Sequence, residues 1–141
     1  MRILAVDHGQ KHIGLAISDE TATLARPLMI VPHVSKVVDA ALVAERAAAE
    51  DVGMIIVGAS YTEDGDLNPA GRRAANFAEI LRQQTEKPVI LWDESLTTQD
   101  ARALSLELGR SRKQRGGHQD ALAASILLQS YLDSLTPPNL D

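Results

Sequence analysis

The feature that most narrows the fold is a short, unbroken apolar run, MIIVG at residues 54 to 58. Such a run is too brief for a stable helix, and with no polar alternation it reads as a strand buried on both faces. Apolar runs at residues 2 to 6 and 13 to 18 are joined by DHGQKH, with Gly9 supplying turn freedom, and they read as a β-hairpin. LMIV at 28 to 31 reads as a third strand, and VILW, restarting after Lys87-Pro88, as the last.

Helical stretches lie between the later strands. Ser35 is placed to cap a helix through about Asp51, with Val38, Leu42 and Val43 on one side and Gly53 ending it. A second helix is expected from about Ala70 to Gln84. Thr97 with Asp100 resembles a capping box for a third, TQDARALSLEL, closed by Gly109. The last runs from about His118 to Asp133. Strands first, then strand and helix in alternation, imply an α/β architecture: a five-stranded mixed sheet with an N-terminal antiparallel meander, right-handed crossovers and flanking helices. Residues 1 to 136 form one domain in this reading, and Pro137-Pro138 open a short tail over 137 to 141.

With 141 residues the chain can bury a core without disulfides, and it contains no cysteine, which excludes thiolate metal sites. The first residues, MRILAVDHGQ, lack the long apolar core of a signal peptide, and no stretch is long and apolar enough to span a bilayer. The expectation is a soluble, cytoplasmic protein with no membrane partner.

Acids mark the strand ends. Asp7 closes ILAV, Glu94 follows VILW, and Asp120 opens DALAASILL. Ligands of open α/β sheets bind beyond the carboxyl ends of the parallel strands, where Asp7 and Glu94 can meet. Converging carboxylates suit a hard divalent cation, and a metal-dependent phosphodiesterase is the first hypothesis. Each acid also has a structural explanation: Asp7 bonding to hairpin backbone, and Asp120 stabilised by the dipole of a first helical turn. Alternation sends Asp93 and Glu94 to opposite faces, and Glu94 is assigned to the site, with Asp93 a hydrogen-bonding or surface residue. His8 should point away from Asp7; His12 and His33 are expected at the surface or in turns.

The net charge of −5 argues against a polyanionic partner until its distribution is considered. GRSRKQRGGH, residues 109 to 118, carries Arg110, Arg112, Lys113 and Arg115 and no acid. Most such runs are solvated loops, but this one immediately precedes Asp120 and could neutralise phosphates. His118 beside Asp120 could shuttle a proton or assist product release, or be an ordinary solvated histidine. The few aromatic rings, Tyr61, Phe77, Trp92 and Tyr131, make base stacking a minor part of recognition.

Taken in order, AVDHGQKHIGLAISD, IIVGAS, DESLTT and HQDALAASILLQ make the chain resemble the YqgF/RuvX family of ribonuclease H-like nucleases, over nearly its whole length. The resemblance implies a ribonuclease H-like fold and metal-dependent cleavage of nucleic acid. It also implies a catalytic, metal-binding trio of Asp7, Glu94 and Asp120, with Asp7 bridging or binding one or two Mg2+ or Mn2+ ions. The family's associations are 5′-end maturation of pre-16S rRNA, taken first here, and Holliday-junction cleavage. Structured RNA or branched DNA is then the partner, acted on by a monomer or homodimer. Two departures stand out: Ser95 where the family has arginine, and GASYTEDG where it has G-L-P-x-x-x-[DN]-G. A non-catalytic nucleic-acid-binding module and an ATP-binding actin-like lobe are the competing classes; the second would need a partner lobe for which this chain has no room.

Overall fold

The computed structural model describes residues 1–97, Ala103, Glu107 and 121–135. Five strands, β1 (Ile3–His8), β2 (His12–Ser18), β3 (Ala25–Pro32), β4 (Met54–Ala59) and β5 (Val89–Asp93), form one mixed sheet in the order β3-β2-β1-β4-β5. The meander β1-β2-β3 is antiparallel, whereas β1, β4 and β5 run parallel. Helices α1 (Lys36–Ala49) and α2 (Pro69–Gln84) connect β3 to β4 and β4 to β5. A 3-10 turn, Glu94–Leu96, follows β5, and α3 (Leu122–Leu135) is the last described helix. Ala103 and Glu107 are helical; the other residues of TQDARALSLEL from Thr98 onward, and the expected helix start at His118, lie outside the described residues.

Alternation divides the strands cleanly. Leu4, Val6, Ile13, Leu15, Ile17, Ile55, Val57 and Val89 pack with Phe77, Ala78 and Leu81 under α1 and α2. Ile3, Ala5, Ala16, Ala25 and Ile56 pack on the opposite face with Ala124, Leu127, Leu128 and Leu132 of α3. Burying a large aliphatic chain such as Leu128 stabilises by about 1.5–3 kcal/mol. On the α3 side the small residues Ala5, Ala16 and Ala25 let the helix lie close. Of the small residues near the start of that helix, Ala121, Ala124 and Ser125 are buried while Ala123 is exposed.

Polar groups fasten α3 to the sheet. Buried Gln129 accepts a hydrogen bond from the Ala25 amide (2.9 Å) and donates to the Thr23 carbonyl (3.0 Å). Trp92 Nε1 donates to Ser130 Oγ at 2.9 Å, and the Trp92 ring meets Tyr131 edge-on.

Several local expectations change. Strand β3 begins at Ala25, three residues before LMIV, and incorporates Pro27; as the edge strand it can accommodate a residue with no amide to donate. The inner face of α1 is Asp39, Ala40, Val43 and Ala47, while Val38 and Leu42 are exposed. Asp39 tolerates full burial because His33 Nδ1 (2.5 Å) and the Val34 amide (3.0 Å) bond its carboxylate, which makes the expected turn residue His33 a structural partner. Helix α1 ends before Gly53. Asp51 adopts φ 52°, with its amide on Ala48 O and the Val52 amide on Ala47 O, the paired bonds of a Schellman cap without glycine. Gly9 likewise does not need positive φ: a Cβ there would come 2.6 Å from His12 O, so it is close turn closure that excludes a side chain.

Candidate active site

The site forms where three parallel strands end. In β1, Ile3 and Ala5 face α3, and Asp7 continues that face, paired in register with Gly14 of β2. His8 takes the other face, as alternation requires, and its ring stacks on Phe77 at 4.7 Å. Burial, then nearby Lys36, push the His8 pKa down, and its buried Nε2 has no hydrogen-bond partner among the described residues.

At the end of β5 the two adjacent acids separate. Asp93 turns its carboxylate back onto the Ser95 amide (2.9 Å) and caps the 3-10 turn, the hydrogen-bonding role expected for it. Glu94 lies over β4, where Gly58 has no side chain to obstruct it. Asp7, Glu94, Thr97, Ala123, Ile126 and Leu127 line one cleft of about 280 Å³ between the strand ends and the first turns of α3. Thr97, read in the sequence as a helix cap, closes the 3-10 turn through its amide on Glu94 O and forms part of the wall.

The electrostatics of the pair are unfavourable without a counter-charge. Burial raises the Asp7 pKa. Glu94 is raised first by burial and then by the negative charges of Asp7 and Asp93. Among the described residues no hydrogen-bond donor or cation bonds either carboxylate. Two half-desolvated carboxylates that repel each other, offering oxygen only, fit a hard divalent cation. No group of three potential ligands occurs among the described residues. The third acid of the expected trio, Asp120, lies outside them, as do Arg110, Arg112, Lys113, Arg115 and His118.

Sequence reading passed over Gly58 and the wall residues Ile126 and Leu127. A signal for the first existed, since a glycine near the end of an otherwise bulky central strand marks close approach by another group. The loop Ala59–Gly65, flagged for its departure from the family pattern, folds on itself: Tyr61 bridges Leu67, the Thr62 amide bonds Asp66 O at 2.6 Å, and Gly65 supplies φ 90°.

Known proteins share both sequence and architecture with this chain. Relatives from several organisms carry the name "Putative pre-16S rRNA nuclease". That of Thermoanaerobacter pseudethanolicus is 41% identical over 135 residues, covering 95% of this chain and 97% of its own. That of Caldanaerobacter subterraneus subsp. tengcongensis is 39% identical over 135 residues, with the same coverage. Among solved structures, T. thermophilus RuvC in complex with a Holliday junction substrate superposes with a TM-score of 0.63 at 16% identity, covering 95% of this chain and 94% of its own. The fowlpox virus Holliday junction resolvase does so at 0.58 and 19%, over 96% and 100%. These two establish the ribonuclease H-like fold. A family model described as RuvX, Holliday junction resolvase, matches residues 1–134, and the chain belongs to that family.

Proposed function

We propose that the chain is a divalent-metal-dependent endonuclease that hydrolyses phosphodiester bonds in structured nucleic acid, with 5′-end processing of pre-16S rRNA as its principal task. The observation that carries this reading is the pair Asp7 and Glu94 in one cleft at the carboxyl ends of parallel strands, uncompensated by any described donor. The name shared by the relatives supports the RNA substrate.

Asp7, Glu94 and Asp120 would hold Mg2+ or Mn2+. Such an ion, when bound, polarises the scissile phosphate and activates water for in-line attack. The chain's own contribution is to bring the two carboxylates into one partly desolvated cleft, walled by Ile126 and Leu127, where a bound cation would offset the burial and repulsion that disfavour their charged forms. Arg110, Arg112, Lys113 and Arg115 would neutralise backbone phosphates, with His118 as an auxiliary proton carrier. An activity on pre-rRNA belongs in the cytoplasm; no helix among the described residues is long and apolar enough to cross a membrane.

The family description favours a second reading, cleavage of branched DNA. Paired cuts on a junction would require a symmetric dimer, whereas rRNA trimming would not. The test compares wild type with Asp7→Asn on precursor rRNA, a four-way DNA junction and linear duplexes, each with Mg2+ and Mn2+. Metal-dependent cleavage that Asp7→Asn abolishes supports the nuclease. A folded Asp7→Asn protein that cuts as fast as wild type refutes the site, and absence of cleavage by wild type on every substrate favours a binding module.

A further inference from the structure

Gly58 stands at the centre of the acid cleft without contributing a functional group. It lies near the end of β4, the strand between β1, which carries Asp7, and β5, which leads into Glu94. Ile56 faces α3, so position 58 faces it too. A Cβ built on Gly58 would lie 2.8 Å from Leu127 Cδ2, 3.1 Å from Glu94 Oε1 and 3.3 Å from Glu94 Cγ. One methyl group would therefore intrude on both the apolar wall and the carboxylate.

The backbone does not explain the glycine. Gly58 lacks the positive φ found at Gly65, and it sits in an ordinary ladder opposite Trp92. Glycine inside a central strand weakens it relative to residues with side chains. What remains is space. Leu127, 3% exposed and packed in the α3-side core, has little freedom to retreat, whereas Glu94 borders the open cleft and can swing outward.

We propose that Gly58 is a positioning residue for Glu94. Its missing side chain lets the carboxylate lie back over β4 toward Asp7, and any larger residue expels the carboxylate from the cleft. The proposal rests on the reading of Asp7 and Glu94 as holders of a divalent ion.

Its test is Mn2+ binding by the full chain, followed by calorimetry and by electron paramagnetic resonance of free Mn2+, with circular dichroism as the folding control. Gly58→Ala is expected to remain folded and to weaken Mn2+ binding by about 10- to 100-fold, the range for loss of a group that orients a metal ligand. Gly58→Ala combined with Glu94→Asp, whose side chain is one methylene shorter, should recover part of the affinity. Gly58→Ala combined with Leu127→Ala relieves the wall alone and should leave binding weak; this double variant carries the measurement if Gly58→Ala unfolds. Wild-type Mn2+ affinity in the folded Gly58→Ala protein or in that double variant, with Glu94→Gln impaired, overturns the role of Gly58 and leaves the metal site standing. Wild-type affinity in Glu94→Gln overturns the metal reading of the acid pair itself, and the Gly58 proposal with it.

Discussion

Acids around the same sheet are treated in opposite ways. Asp19, in the turn after β2, accepts bonds from the Thr23 amide (2.8 Å), the Leu24 amide (3.2 Å) and Thr21 Oγ1 (3.0 Å), and these hold its carboxyl below the usual range. Asp39, fully buried at the start of α1 and at the same end of the sheet as Asp7 but on its other face, is likewise matched by His33 and the Val34 amide. Asp7 and Glu94, at the end of the sheet opposite Asp19, have raised pKa values and no described donor. A carboxylate that builds structure is met by donors from its own chain. One left partly desolvated and uncompensated is set up for a positive charge from outside.

The largest expected effect tests the functional end. Asp7→Asn should reduce metal-dependent cleavage by more than about 100-fold, beyond the loss of a group that merely orients a ligand, as measured by single-turnover kinetics on the best substrate. A smaller loss would mean that Asp7 is not a principal ligand.

Among the donor-matched acids, Asp39→Ala should destabilise by about 1–3 kcal/mol in urea unfolding, because the Val34 amide and His33 lose a fully buried acceptor. Asp19→Ala should cost less, since its turn is exposed and water can replace the carboxylate.

For the metal-free protein the contrast reverses sign. Folding disfavours the charged forms of Asp7 and Glu94, so their share of stability is complete below their unfolded pKa values and is lost as pH rises through the raised folded values. Asp7→Asn should therefore raise metal-free stability at neutral pH while activity falls. Asp19 behaves oppositely: its stabilisation is present above its unfolded pKa and disappears as pH falls through the lowered folded value. Denaturant titrations of Asp7→Asn and Asp19→Asn from acid to neutral pH should deviate from wild type in opposite directions; parallel deviations would erase the distinction between the two ends.

The smallest effect is linkage to metal. Because protons compete for raised carboxylates, Mn2+ affinity should increase with pH across the acid range, and saturating Mn2+ should raise Tm in wild type but not in Asp7→Asn. An equal rise in both proteins would place the binding elsewhere.

Much of this was legible in the residues. ILAV, MIIVG and VILW became β1, β4 and β5 because short apolar runs of this kind have few alternatives once helices intervene. Alternation separated His8 from Asp7 and Glu94 from Asp93, since side-chain direction in an extended chain is a local property. Other features depended on partners distant in sequence. Asp39 could not be recognised as an inner-face residue without His33 beside it, nor Gln129 as a fastening without the free amide of Ala25. The helix stop at Asp51 was hidden by Gly53, because glycine is the usual cap and aspartate adopts the left-handed conformation less readily.

By itself, the sequence determined which segments form strands, which residues alternate to which face, and which acids stand at strand ends, because these follow from local periodicity and the cost of desolvating charge. Only the tertiary structure decided that Asp7 and Glu94 share a cleft, that Leu127 walls it, and that Gly58 provides the space in which Glu94 lies. Those facts depend on packing between segments far apart in the chain, and steric exclusion at a single methyl group leaves no periodic trace in the residues that produce it.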